Sequence, residues 1–313
     1  MAAVAGALLA LAAGCAHRPD TDDPYLLVLG TAQDGGLPHA ACTCPRCDAA
    51  RHDPKRRRSI ASIAIIVPST GRRFLIDATP DLREQIDRLP AGGAHARGKV
   101  DRSPVDGVLL SHAHAGHYLG LAFFGFEAVH TSSLPVYATP RMAAFLKDNA
   151  PWSRLSSRGE IALREAPAGV PFELDDGVRV TPFAVPHRDE DSDTVGFKIE
   201  GRRHVVTYVP DTDTWDAWSE PARRALAESD TALVDGTFFA ADELPGRDVK
   251  TIGHPLMVTT MDRFAANVRS GRLRVLFTHL NHSNHALEPG GAERRAILSR
   301  GFAVAEDGQR LPL

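Results

Sequence analysis

The sequence predicts an α/β fold built from two β-sheets with helices on their outer faces. Two observations predict it. Short apolar runs of strand-like composition outnumber helical ones along the 313 residues. Several of those runs also end directly in His or Asp, as in "RRFLID", "HVVTYVPD" and "LRVLFTH", which points to a site where strand ends converge. Hydrophobic residues make up 43% and charged residues 24%, an ordinary globular composition. A net charge of −3 gives no basis for binding a polyanion, so nucleic acid is not an expected partner. The basic run Lys55–Arg58 reads as a local solvated face.

The elements follow in order. "MAAVAGALLALAAGCAHRPD" opens with an apolar stretch too short to span a bilayer, followed by small residues, Cys15 and a polar segment. "LAAGC" resembles a bacterial lipoprotein signal, although no Lys or Arg precedes the apolar run and Ala12 stands where a larger aliphatic is usual. The expectation is a signal peptide over 1–15, lipid anchoring at Cys15 in the cell envelope, a linker over 16–24 and one domain over 25–313. A cleaved signal without lipid, or a frayed helix, is the alternative. Strands are expected at "YLLVLG", "IASIAIIV", "RRFLID", "VDGVLLS", "LPVYAT", "VRVTPFAV", "TVGFKI", "HVVTYVP", "TALVDG" and "LRVLFTH". Helices are expected at "TPDLREQIDRL" (Thr79 cap, Pro80 in the first turn), "YLGLAFFGFEAV", "PRMAAFLKDNA", "EPARRALAES", "PLMVTTMDRFAANVRS" and "GGAERRAILSR". "AGGAHARGKVDRS" reads as loop.

Five separate elements carry candidate metal ligands, each after an apolar run: Asp77, the turn His112/His114/His117, His187, Asp211 and His279. A lone histidine at a strand end is more often a hydrogen-bonding residue than a ligand, but here the pattern repeats. His112 and His114 are two apart in extended chain, so their rings leave on one side. Neutral imidazoles with a carboxylate suit zinc, with iron or manganese as alternatives. Separately, "CTCPRC" places Cys42, Cys44 and Cys47 in one tight turn. Three thiols cannot all pair with one another, and a metal accounts for them better than a disulfide framework. The alternative is one disulfide and one free thiol, which an oxidising compartment would favour.

This order of motifs resembles the metallo-β-lactamase-fold superfamily, whose signature is H-x-H-x-D-H with a preceding Asp and later His, Asp and His at strand ends. "VLGTAQDGGLPHAACTCPRC", "PHRDEDSDTVGF" and "YVPDTDTW" are similar to coenzyme PQQ biosynthesis protein B. "CTCPRCDAARHDPKRRRSIASI" and "THLNH" look like the cyclic phosphodiesterase of phosphonate catabolism. The resemblance implies an αββα sandwich with the metal site along one edge of the sheets. It assigns His112, His114 and His187 to one metal, His117 and His279 to a second, and Asp211 as a bridge. Asp77 would accept a histidine N–H and orient the ligands, or else cap the helix after it.

The sequence departs from the signature at Gly116, where the family places the acid for the second metal. One tightly held ion and a weak or absent second are therefore expected, with Asp211 taking a proton from metal-bound water and Asp211→Asn keeping its metal. Asp189 is either a further candidate for the missing acid or, the favoured reading, part of a solvated loop. The resemblance also makes His282 the fourth ligand of a structural zinc with the three cysteines, with His285 as competitor. It places His254 beside substrate as a proton donor or anion contact, the alternative being a residue at a helix start with no chemistry. "TAQDGG" is a loop whose Gln33 and Asp34 either touch substrate or only turn the chain. His39, His52, His95, His130 and His204 have no spacing that recommends them.

The leading function is a metal-dependent hydrolase of phosphodiesters or other esters of small molecules. The alternatives are a metal-dependent oxygenase or hydroxylase of the PQQ-protein type and a non-catalytic metal- or ligand-binding protein of the envelope. No oligomeric state is predicted.

Overall fold

The computed structural model describes residues 22–90, 103–244, 246 and 252–313. The signal-peptide reading, Cys15, most of the expected linker, His95 and most of the expected loop before Val105 lie outside them. The first sheet contains β1 (Tyr25–Gly30), β2 (Ser62–Val67), β3 (Arg72–Ile76), β4 (Gly107–Leu109), β5 (Leu134–Ala138) and β6 (Ile161–Glu165). The second contains β7 (Phe172–Asp175), β8 (Val178–Ala184), β9 (Val195–Glu200), β10 (Val205–Val209), β11 (Thr231–Asp235), β12 (Arg274–Thr278) and β13 (Ala303–Val304). The last strand, β14 (Arg310–Pro312), returns to the first sheet and pairs with β1. The strand orders are β14-β1-β2-β3-β4-β5-β6 and β13-β12-β11-β10-β9-β8-β7.

Period-two alternation explains the layers. In β2, Ile63, Ile65 and Val67 enter the core between the sheets, while Ala64 and Ile66 face the helices outside. β11 and β12 do likewise, sending Leu233 and Leu276 inward and Val234 and Phe277 outward. Burial on both faces gives these strands their continuous apolar composition. Each fully buried Leu or Ile contributes roughly 1.5–3 kcal/mol relative to an exposed one. The helices are α1 (Pro45–His52), α2 (Leu82–Asp87), α3 (Ala115–Tyr118), α4 (Pro140–Asp148), α5 (Trp152–Ser157), α6 (Glu220–Ala227), α7 (Met257–Arg269) and α8 (Ala292–Ser299). Among the described residues no helix is long and apolar enough to cross a membrane.

Strand direction sets the position of the site. β3 runs parallel to β4, and β10, β11 and β12 run parallel to one another. β1 is related to β3, and β8 to β10, by two antiparallel steps, so each points the same way as its relative. The C-terminal ends of all these strands thus share an edge within each sheet, where ligand-bearing loops gather.

Two expected elements differ. "YLGLAFFGFEAV" is not a long helix: α3 stops at Tyr118 and a 3₁₀ segment covers Leu119–Phe124. Gly120 packs its backbone against Ala78 and Thr79, where a Cβ would overlap carbonyl oxygens, and it and Gly125 weaken the helix. α2 begins at Leu82 with Asp81 as its N-cap residue, and Thr79 receives the Asp81 N–H at 3.0 Å just upstream.

Candidate metal centre

Two metal-ligating clusters stand out among the described residues. The larger lies where the strand ends of both sheets meet. His112, His114 and His187 bring their ring nitrogens together, with His187 Nε2 3.2 Å from His114 Nδ1. His117 and His279 form a second group beside them. Asp211 lies between: its Oδ2 is 3.0 Å from His117 Nε2 and 3.4 Å from His279 Nε2, and its Oδ1 is 3.8 Å from His187 Nε2. The residues expected from strand ends are therefore brought together, with Asp211 in a bridging place.

The local backbone is built for this. Asp77 and His279 sit directly after β3 and β12 at φ of 69° and 59°, a left-handed conformation that non-glycine residues adopt at some cost. It turns each side chain back towards the sheet edge. Asp77 is fully buried and accepts hydrogen bonds from the Ser111 amide at 2.8 Å and the Ser111 hydroxyl at 2.9 Å. It also accepts from His117 Nδ1 at 2.7 Å, which fixes the tautomer and aims Nε2 at Asp211. Asp77 thus orients a ligand; the helix that follows takes its N-cap from Asp81.

The donor set fits a metal. His112 Nε2, His117 Nε2, His279 Nε2, Asp211 Oδ2 and Asp34 Oδ1 are buried without a hydrogen-bond partner. Each such atom costs about 1–3 kcal/mol unless something satisfies it, and these five face one another. Burial, followed by the charge on His117, holds the His112 imidazole well below its usual pKa, in the neutral form that ligates. Burial opposes charge on His117 as well, but Asp77 and Asp211 raise its pKa well above the usual value. A proton and a metal ion are alternatives at its Nε2.

Position 116 holds the main surprise. A Cβ on Gly116 would overlap Asp34 Oδ1 and come within 2.9 Å of Asp34 Cγ. The space beside this glycine is filled by a carboxylate from the loop after β1. Asp34 Oδ1 lies 3.4 Å from His117 Nε2 and 3.6 Å from His279 Nε2. The expected shortage of an acid therefore holds for position 116 but not for the site. Asp189 does not supply it: it belongs to no ligand cluster, and its backbone carbonyl accepts from Arg141.

His254 lies beside the same cluster, 3.8 Å from Asp211 Oδ1 and with its ring 5.4 Å from that of His187. Its Nδ1 is held by Asp235 Oδ2 at 2.7 Å, and Thr237 Oγ1 is also close, at 3.2 Å. Burial lowers its basicity, but the Asp235 carboxylate more than offsets this and takes the pKa to about 9. Sequence reading passes over Asp235, Thr237, Ser111 and Asp213, which holds His187 Nδ1 at 2.8 Å. Asp235 carries a signal that would have found it, because it too ends an apolar strand.

The second cluster is the cysteine turn. Cys42, Cys44 and Cys47 surround His282 Nδ1 at 3.6, 3.9 and 3.5 Å. His285 is not part of it. Burial and the neighbouring sulfurs push the Cys47 thiol up to about 12, so three thiolates need a cation to coexist. The set matches the Cys₃His pattern of a closed structural zinc site. Arg46 adds a brace, donating to the carbonyls of His282 and Ser283 at 2.8 Å each.

Comparisons with known proteins give the family and the fold. The Beta-lactamase superfamily domain matches residues 72–280. Coenzyme PQQ synthesis protein B of Methylorubrum extorquens is 31% identical over 92% of this chain and 100% of its own length. The Rhodopseudomonas palustris protein of that name is 32% identical over 92% and 99%. Among solved structures, zinc-bound PqqB from Methylobacterium extorquens superposes with a TM-score of 0.78 at 28% identity, covering 92% of this chain and 100% of that one. A diphosphatase of the PhnP family shares the fold, with a TM-score of 0.64 at 21% identity over 93% and 97%. The chain belongs to the metallo-β-lactamase-fold superfamily and, within it, to the coenzyme PQQ synthesis protein B family.

Proposed function

We propose that this family member is a metal-dependent hydrolase of an anionic ester, with phosphodiesters as the first class to test. One observation carries the reading: His254, its Nδ1 2.7 Å from Asp235 Oδ2, lies beside a cluster of buried, unpartnered ligand atoms. A bound divalent ion would supply an acidified water and a Lewis acid for the scissile phosphoryl or acyl oxygen. The chain's own residues would do the rest. His112, His114, His187 and Asp211 would hold one ion, and His117 and His279 would face a second across Asp211. His254, with Nδ1 committed to Asp235, would present its other nitrogen as proton donor to the leaving group or as contact for the ester's negative charge.

Beside the base role expected of it, Asp211 would be a ligand whose loss the ions feel. Both of its oxygens face histidine ligands, so Asp211→Asn should release metal as well as stop turnover. The test is hydrolysis of bis(p-nitrophenyl) phosphate by zinc- or manganese-loaded protein. His254→Gln should lower kcat by about 10²–10⁴-fold while ion content stays unchanged. A fully loaded centre with no esterase activity would overturn the reading. A second reading, iron-dependent oxygenation, is favoured by the full-length identity to coenzyme PQQ synthesis protein B. Oxygen uptake with ferrous iron in place of ester hydrolysis would select it.

A further inference from the structure

The chain lacks an acid at position 116 and carries another where that acid would act. Asp34 follows β1, which points towards the same sheet edge as β3, so its loop is delivered to the metal centre by strand direction. Two short hydrogen bonds pin the loop to the segment after β12: Gln33 N–H to Leu280 O at 2.9 Å and Leu280 N–H to Thr31 O at 2.8 Å. Asp34 and His279 are thus held in neighbouring rungs.

The next residues complete a turn. The Gly36 amide returns to Gln33 O at 2.7 Å, with Gly36 at φ 70°. A side chain on Gly35 would collide with the His39 ring. The turn leaves Asp34 Oδ1 buried without a hydrogen-bond partner, against His117 and His279, which are 0% and 1% exposed and whose Nε2 atoms are likewise unpartnered. A carboxylate that only closed a turn would not leave this oxygen dry beside two open imidazoles.

We propose that Asp34 is the fourth protein ligand of a second metal ion, with His117, His279 and the bridging Asp211, and that Gly116 is the space its carboxylate requires. The loop after β1 replaces the acid that the histidine turn lacks, so the centre is dinuclear. This rests on the reading of the larger cluster as a metal centre.

The experiment counts ions in full-length protein by elemental analysis and cobalt(II) titration, with cobalt–thiolate absorption separating the cysteine cluster from the His/Asp centre. Wild type should hold two ions in the centre. Asp34→Asn should hold one, with the second bound at least about a hundredfold more weakly, and Gln33→Ala should still hold two. Wild type with one centre ion, or Asp34→Asn with two at unchanged affinity, overturns the proposal. Wild type with no centre ion refutes instead the metal reading beneath it. Anomalous diffraction from metal-loaded wild type decides independently of any variant: the second ion should lie about 2.0–2.2 Å from Asp34 Oδ1, and an ion bound without it refutes the assignment.

Discussion

The cysteine cluster and the His/Asp centre are two metal-ligating regions in one fold, and they are made in opposite ways. The cysteine cluster takes three ligands from six consecutive positions and one, His282, from far along the chain. It is all sulfur and one imidazole, a set with no position left for water or substrate. The centre draws its candidate ligands from loops after β1, β4, β8, β10 and β12, in both sheets, and these offer only nitrogen and oxygen. Soft, closed and local suits fastening; hard, open and dispersed suits chemistry. One fold can hold both because the segment Leu280–His282 connects them, joining the β1 loop to the last histidine of the centre.

Crossed substitutions test how far the two regions are separate. The largest effect should come from His112→Ala, which removes a buried ligand of the centre: ester hydrolysis should fall by more than about 10³-fold while the cysteine cluster keeps its ion, as cobalt–thiolate absorption would read. Cys44→Ser should do the reverse in stability, with the structural ion lost and the midpoint of thermal unfolding lowered by roughly 5–10 °C, about 3 kcal/mol. If Cys44→Ser also empties the centre's second position, the regions are coupled through Leu280 and the comparison becomes one of cooperating halves.

A comparable effect concerns His254 in metal-free protein. Its pKa is raised from 6.5 to about 9 in the fold, so the charged form stabilises the native state. That contribution is fully present below pH 6.5 and fades as pH rises through about 9, on the order of 3 kcal/mol in all. Chemical denaturation at a series of pH values should show this slope in wild type and not in His254→Gln; equal slopes would place the proton elsewhere.

What was legible in the sequence follows the same division. "CTCPRC" announces itself because its chemistry is local. The histidines and Asp211 were legible because each follows an apolar strand-like run, and the same ending repeats along the chain. Asp34 was not, since a β1 loop reads as an ordinary turn until Gly116 is seen to leave it room. Ser111, Asp213 and Thr237 orient rings through contacts set only by folding. The helix expected after the histidine turn failed for a related reason: Gly120 serves a close approach to Ala78 and Thr79 that no periodicity encodes.

The pairing of the β1 loop with the segment after β12 has a consequence for synthesis. A chain emerging from the ribosome exposes Asp34 early but receives its partner His279 only near the end. β1 likewise awaits β14 as its outer neighbour. A product truncated before β12 therefore presents the cysteines and scattered imidazoles but never the assembled His/Asp cluster, which forms only once the segment after β12 has been made.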